Sequence, residues 1–338
     1  MVRYAERRPI LTAIWALAVA LLLWAIFAPW PEGFEAIFGR KKIFLNALFN
    51  GITLGALYFL VASGFTLIFG LMKNVNLAHG SLYMLGGYLG YEAANATGWW
   101  LLSFVVAFLV VALLGVLLQI FVFRKMEGED LKQTLVTIGI SIVLADIMLW
   151  IWGGDFYQIL TPTWLTGPVE LPLITGVSRR SGEFIYLTYP IVRLVILVAA
   201  VAIGVGMWLA LNRTRIGMLV RAGVDDRDML SATGVRIQRV FMLVFGFGAG
   251  LAGIAGVIGG TFQSVAPGED IRFLLASLVV VIVGGMGSIP GAALGALLIG
   301  LAEQFGSVYA PTYAVVLTFL IMVVVLAFRP QGLIAVGR

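Results

Sequence analysis

Polar positions are rare along this chain and cluster at intervals, and between the clusters apolar residues run on without alternation for about twenty residues at a time. Hydropathy divides the sequence into spans at about 10–30, 43–70, 72–94, 98–122, 134–152, 184–211, 241–262, 271–286, 289–307 and 314–328. A membrane strand would alternate apolar and polar residues, and these runs do not, so a transmembrane barrel is not expected. The expected fold is all-α, a polytopic bundle of about 8–10 transmembrane helices.

Composition agrees. Hydrophobic residues make up 61% of the 338 positions and charged residues 12%, where a soluble domain carries roughly twice that charge. The formal net charge is +5, from 22 basic and 17 acidic residues. The basic residues gather in loops. This is an orientation signal in a chain surrounded by membrane lipid, not a nucleic-acid footprint. Arg124, Lys125 and Lys132, the six arginines between 213 and 239, and Arg329 and Arg338 fall on one side, read as inside, with both termini. Arg40, Lys41 and Lys42 disagree and leave the first span the weakest part of the topology. That span, with Arg3, Arg7 and Arg8 ahead of it, is too long for a signal-peptide core and reads as uncleaved. The organisation expected is an extra span and loop at 1–42, then a core at 43–330 holding a polar segment at 212–240. The segment 153–183, the longest on the outside and rich in Gly, Pro and Thr, reads as a structured cap, a docking surface or an ordinary connecting loop. There is no cysteine and one histidine, so disulfides are excluded and a metal site or other bound cofactor is not expected.

An internal repeat organises the core. Residues 62–92 (ASGFTLIFGLMKNVNLAHGSLYMLGGYLGYE) and 276–303 (ASLVVVIVGGMGSIPGAALGALLIGLAE) both begin Ala-Ser, and Gly70 and Gly284 follow eight residues after that Ala. Met72 and Met286 come next, then a polar or Pro-bearing interruption, then Gly80 and Gly291, then Glu92 and Glu303. Duplicated halves, each with a broken helix, are a recurrent transporter plan in which the breaks flank the pathway. On that reading Asn74, Asn76, His79 and Gly80 from the first break, and Gly284, Gly285, Ser288 and Pro290 from the second, line a substrate pathway. Two tight cytoplasmic turns would give the same pattern. For His79 a hydrogen bond that fixes the break is the simpler role. Gly86, Gly87 and Gly90, and Gly291, Gly295 and Gly300, read as close-packing surfaces.

The most polar stretch, NRTRIGMLVRAGVDDRDMLSATGVRIQRV at 212–240, predicts one short helix over Ala222–Thr233, with Asp225 and Asp226 in its first half, Met229, Leu230 and Ala232 as apolar contacts, and Gly234 ending it. Such a helix can lie on lipid, cap the bundle or dock in a partner's groove. Within the spans, Asp146 and Arg193 stand out as costly charges. Arg193, near an outer end, reads as a structural residue, and Asp146 is the one good candidate for an ion-coupling acid.

Three stretches resemble the inner-membrane permease subunit of bacterial branched-chain amino acid ABC importers. They are Asn76-Leu77-Ala78-His79-Gly80, then Arg221-Ala222 with Asp225-Asp226 and Gly234-Val235, then Gly284-Gly285-Met286-Gly287-Ser288-Ile289-Pro290-Gly291. The likeness covers roughly 45–330. Leu77 replaces a usual Phe, Leu230 a common Ala, and the 10–30 span is extra. The resemblance implies a transport subunit, not an enzyme, forming the pathway for branched-chain amino acids or similar small carboxylate solutes in the cell's inner membrane. It implies two ATPase subunits docked on 221–234, where Arg221, Ala222, Asp225, Asp226, Met229 and Gly234 would couple them. It also implies a second permease, paralogue or self, and a periplasmic substrate-binding protein. No G-x-x-x-x-G-K-[ST] phosphate loop occurs in these residues, so ATP is expected to be used by the partner subunits. A urea or short-amide importer permease is the runner-up. An ion-coupled secondary transporter working through Asp146 is the competing class.

Overall fold

A computed structural model describes residues 23–28, 30, 35, 40–72, 75–126, 128–177, 183–225 and 227–334. Its helices are α1 (Lys41–Met72), α2 (His79–Thr97), α3 (Trp100–Phe121), α4 (Asp130–Trp152), α5 (Ile191–Arg213), α6 (Arg215–Asp225), α7 (Arg227–Ala232), α8 (Ile237–Phe262), α9 (Glu269–Gly284), α10 (Ile289–Tyr309) and α11 (Ala314–Phe328), with a hairpin of β1 (Pro168–Val177) and β2 (Phe184–Pro190) before α5. Among the described residues, seven helices are long and apolar enough to cross a membrane. The chain is an all-α, multi-pass membrane protein, and each span expected from 43 onward has its helix. Of the span expected at 10–30, only residues 23–28 and 30 are described, and 23–27 are helical.

Three boundaries are corrected. The span expected from 72 starts only at His79, because α1 ends at Met72 and residues 75–78 are not helical, with a turn at 77–78. The span expected from 184 starts at Ile191. Residues 184–190, FIYLTYP, are apolar enough to extend a hydropathy window, but their aromatic and β-branched side chains favour the pleated strand they form. The polar segment is not one helix over Ala222–Thr233. It is α6, beginning seven residues earlier with Ala222 near its end, followed by α7.

The chain divides into two compact units. One comprises residues 1–49 and 167–191, the other 50–166 and 192–338. In the first, β1 and β2 pair antiparallel from Pro168 opposite Pro190 to Val177 opposite Phe184, with register shifts around Ile174. Leu45, Leu173 and Leu187 form its core, flanked by Phe44, Phe49 and Leu171.

In the second unit α8 is the hub. It is apolar on every face, as a helix surrounded by other helices must be. Its glycines make close approach possible. A Cβ on Gly253 would stand 2.8 Å from the Ala107 carbonyl oxygen of α3, and one on Gly256 would stand 2.6 Å from the Gly87 nitrogen of α2. α3 shows the complementary logic. Ser103, Ala107, Val111, Gly115 and Gln119, each four apart, are buried, whereas Leu101, Val105, Leu109, Leu113, Leu117 and Phe121 form an exposed stripe of the same spacing. Small residues face the protein and large apolar ones face outward, as lipid contact requires. α1 and α10 meet through a similar seam, where Gly55 lies against the Ala296 carbonyl and Leu297.

Candidate functional site

The two breaks have the same build. Each joins a helix ending near a glycine to a glycine-rich helix: α1 to α2, and α9 to α10. Upstream, the matching serines make the same bond, Ser63 Oγ to the Leu60 carbonyl at 2.7 Å and Ser277 Oγ to the Leu274 carbonyl at 2.8 Å. Downstream, the matching glutamates each accept from an aromatic donor. Trp152 Nε1 donates to Glu92 at 2.9 Å, and the Tyr58 hydroxyl to Glu303 at 2.5 Å. The breaks also approach each other, for a Cβ on Gly70 would lie 3.3 Å from Gly287 Cα.

Local chemistry closes the first break. Asn76 is buried, and its Oδ1 accepts the Ala78 N–H at 3.1 Å, a side chain doing the work of a backbone turn. Its carbonyl accepts the His79 N–H at 3.3 Å. His79 is fully buried, with Nε2 3.0 Å from the Val61 carbonyl of α1 and its ring edge-on to Phe65 at 5.4 Å. The hydrogen bond expected of this histidine is therefore present, and it ties the start of α2 back to α1. Leu77 N–H donates to Thr137 Oγ1 at 3.1 Å. Thr137 lies seven residues into α4, which sets the break about 10 Å in from that helix end. Gly80 is pressed on α9, where a Cβ would come 2.8 Å from Leu274 Cβ. Asn74 lies outside the described residues.

The second break is closed from two sides. Ser288 caps α10, its Oγ accepting the Gly291 N–H at 3.1 Å, and Pro290 occupies the first turn, where a missing N–H costs nothing. Gly285 and Gly287 take positive φ values of 112° and 83°, open to glycine without strain. The last carbonyls of α9 are met by the distant tail: Leu333 N–H donates to Val283 O at 2.9 Å and Ile334 N–H to Gly284 O at 3.0 Å. Gly284 itself packs on Gly291.

The set read from the sequence as one pathway thus divides. Asn76, His79 and Gly80 pack and close the first break, with Asn76 Nδ2 and His79 Nδ1 buried and without a hydrogen-bond partner. Ser288 and Pro290 line a cavity of about 450 Å³, together with Thr66, Gly70 and Leu71 of α1, Trp208, Leu211 and Asn212 of α5, and Val220 and Arg221 of α6. Arg221, expected as a coupling residue, shares this cavity with two residues expected on the pathway. Its guanidinium donates to Asn212 Oδ1 at 2.8 Å. A second cavity of about 380 Å³ adjoins the first at Trp208, Ile289 and Pro290, with walls of Phe59, Leu197, Val201, Gly204 and Leu297.

The arginine-rich segment packs on the first break. A Cβ on Gly223 of α6 would meet Leu71 Cδ1 at 3.1 Å and Leu230 Cδ2 of α7 at 3.3 Å. Leu71 and Leu230 are buried, whereas Met229 is 69% exposed. Gly234, at φ 84°, ends α7 as expected, its N–H donating to Ser231 O at 3.0 Å. Asp226 lies outside the described residues.

The family model of the branched-chain amino acid transport system permease component matches residues 47–326. The chain belongs to this family of permeases. It is 31% identical to the high-affinity branched-chain amino acid transport system permease protein LivH of Escherichia coli K12 and 30% identical to BraD, of the same description, from Pseudomonas aeruginosa; each alignment covers 86% of this chain and 95% of the relative. It is also 26% identical to the LivM permease protein of E. coli K12, over 85% of this chain and 69% of that protein. No solved structure matches the chain.

In this permease the charges noted within the spans have different surroundings. Arg193 donates to Asn50 Oδ1 and lies 5.1 Å over the Phe262 ring, the structural role expected for it. Asp146 is exposed on α4 and pairs with no cation among the described residues. It is not the only embedded acid. Asp270, in the first turn of α9, is 4% exposed and lies 3.5 Å from Ser81 Oγ. Sequence reasoning missed it, because beside Glu269 it looks like a span end.

Sequence reasoning also missed Thr66 and the α5 wall. The wall carries a signal: Leu197, Ala200, Gly204, Trp208 and Leu211 repeat at three or four residues, one helical stripe facing both cavities.

Proposed function

We propose that this permease forms the translocation pathway of an ATP-driven importer for branched-chain amino acids or similar small carboxylate solutes. It sits in the cell's inner membrane with both termini and α6–α7 on the cytoplasmic side. It works with a second permease, a paralogue or another copy, and takes substrate from a periplasmic binding protein. Two separate ATPase subunits dock on α6–α7, where exposed Met229 offers an apolar contact and buried Leu230 fills the inward side.

The observation that carries this reading is the position of α6. One of its residues, Gly223, lies against Leu71 at the end of the broken helix, and another, Arg221, enters the cavity lined by Ser288 and Pro290. A push on the cytoplasmic face has a short packed route to the breaks, and packed interiors transmit such displacement. Family membership and the permease names of the relatives support the same reading.

The test is capture of the chain from its native membrane, then reconstitution of whatever accompanies it. The expected result is co-recovery of ATPase subunits and a second permease, with ATP-dependent leucine uptake once the binding protein is added. Recovery of the chain alone, active under an ion gradient, would overturn the proposal and turn attention to Asp146 and Asp270.

A further inference from the structure

The cavity walled by α1, α5 and α10 is an open groove at membrane depth. Phe59 and Ala200 are buried in its floor, whereas Val201, Val205, Trp208 and Leu297 are exposed along its rim, on helices long and apolar enough to span. Gly204 gives it depth, since a Cβ there would stand 2.9 Å from Phe59 Cε1. From Leu197 to Trp208 on α5 the groove runs about 16 Å, roughly half the ~30 Å hydrocarbon core of a bilayer. Its volume of about 380 Å³, spread over that length, leaves a cross-section of about 24 Å². One hydrocarbon chain fills such a section. A helix, at ~10 Å across, needs roughly 80 Å².

One end of the groove is basic. Past Trp208 and Pro290 it adjoins the second cavity, where exposed Arg221 stands with Asn212 and Ser288. A guanidinium has five N–H donors, and Arg221 is bonded only to Asn212 Oδ1 among the described residues. Arg213 ends α5 and Arg215 begins α6, and both are exposed. None of the three arginines pairs with a carboxylate among the described residues. An apolar groove one leaflet deep, ending in arginines where the span meets water, matches a phospholipid in order and in sign: hydrocarbon first, then phosphate.

We infer that the groove of α1, α5 and α10 binds one anionic phospholipid from the leaflet that meets α6. An acyl chain lies over Gly204 and Phe59, and the phosphate is held by Arg221 within the field of Arg213 and Arg215. The inference goes beyond the transport reading and does not depend on the solute carried. Such a lipid would sit against Pro290, so the wall of the second break would be built partly from membrane.

The permease is purified with its partners, stripped of lipid by detergent exchange and incubated with vesicles of equal phosphatidylglycerol and phosphatidylcholine. Native mass spectrometry then counts the phospholipid retained. Phosphatidylglycerol should be favoured at least about fivefold, the factor for one arginine near an anionic lipid surface. Arg221→Gln should remove about that factor, and Arg221→Lys should keep most of it. Val201→Trp fills the groove from its exposed rim and leaves every charge in place, and it should abolish the retained lipid. Equal retention of the two lipids would overturn the inference, as would retention indifferent to both Val201→Trp and Arg221→Gln. Lipid held by the chain alone but absent from the assembled complex would also overturn it and assign the groove to the second permease. ATP-driven leucine uptake by the same preparations reports separately. Uptake without lipid selectivity removes this site alone, and selective retention without uptake removes the transport reading alone.

Discussion

Leu71, next to last in α1, is fully buried, and Gly223 of α6 faces it so closely that a methyl group on the glycine would touch its Cδ1 at 3.1 Å. This places the last turn of the broken helix in direct packing with the segment proposed to receive the ATPases. Gly223→Val would force the two apart or tilt α6. We expect assembled complexes that hydrolyse ATP with transport reduced at least about tenfold, because overpacking costs roughly 1–3 kcal/mol and is relieved by displacement. Simultaneous assay of hydrolysis and uptake checks this; unchanged uptake per ATP would show that the contact carries no coupling.

Met229 and Leu230 are neighbours with opposite duties. Met229→Asp should weaken capture of the ATPase subunits by about tenfold or more, since an exposed apolar contact would become a charge. The thermal stability of the isolated permease should stay unchanged. Leu230→Ala should do the reverse and lower stability by about 2 kcal/mol or more through the void left beside Gly223. Equal effects of the two changes on stability would contradict this assignment.

The first break depends on two buried side chains of unequal weight. Asn76→Ala removes one bond closing a turn and should cost about 1 kcal/mol. His79→Ala removes the tie to Val61 and leaves a ring-sized void, so about 2–4 kcal/mol is expected. Chemical unfolding in a fixed detergent would rank them, and the reverse order would show that His79 is not what anchors α2 to α1.

The α8 seam tolerates no side chain where its partners close in. Gly253→Val should prevent stable assembly, because the new Cβ stands 2.8 Å from the Ala107 carbonyl, a backbone atom that cannot move aside cheaply. Gly139→Ala on α4, with nothing within 4 Å of the new methyl group, should leave assembly intact and raise stability by up to about 1 kcal/mol, the helix penalty of glycine. Size-exclusion profiles of the two variants give the comparison.

Much of this fold was legible because membrane helices announce themselves as long apolar runs. The paired breaks were legible too, since Asn76, Ser288 and Pro290 are residues whose local chemistry stops or starts a helix. What hydropathy could not distinguish was an apolar strand from a helix start, as at Phe184–Pro190, or a terminal acid from a buried one, as at Asp270. The cavity was out of reach for a different reason. Thr66, Trp208, Arg221 and Ser288 stand on four different helices or caps, and only their convergence forms the cavity. A lone threonine in an apolar run carries no sign that its hydroxyl lacks a partner.

The closure of α9 by Leu333 and Ile334 has a consequence for how the protein is made. Asn76 closes the first break within a few residues of itself, so that turn can form soon after those residues leave the ribosome. The carbonyls of Val283 and Gly284 wait for donors synthesised some fifty residues later. The first break keeps a late bond too, Leu77 N–H to Thr137 Oγ1 sixty residues further on, so each break joins a turn that closes locally to a bond that waits for later chain.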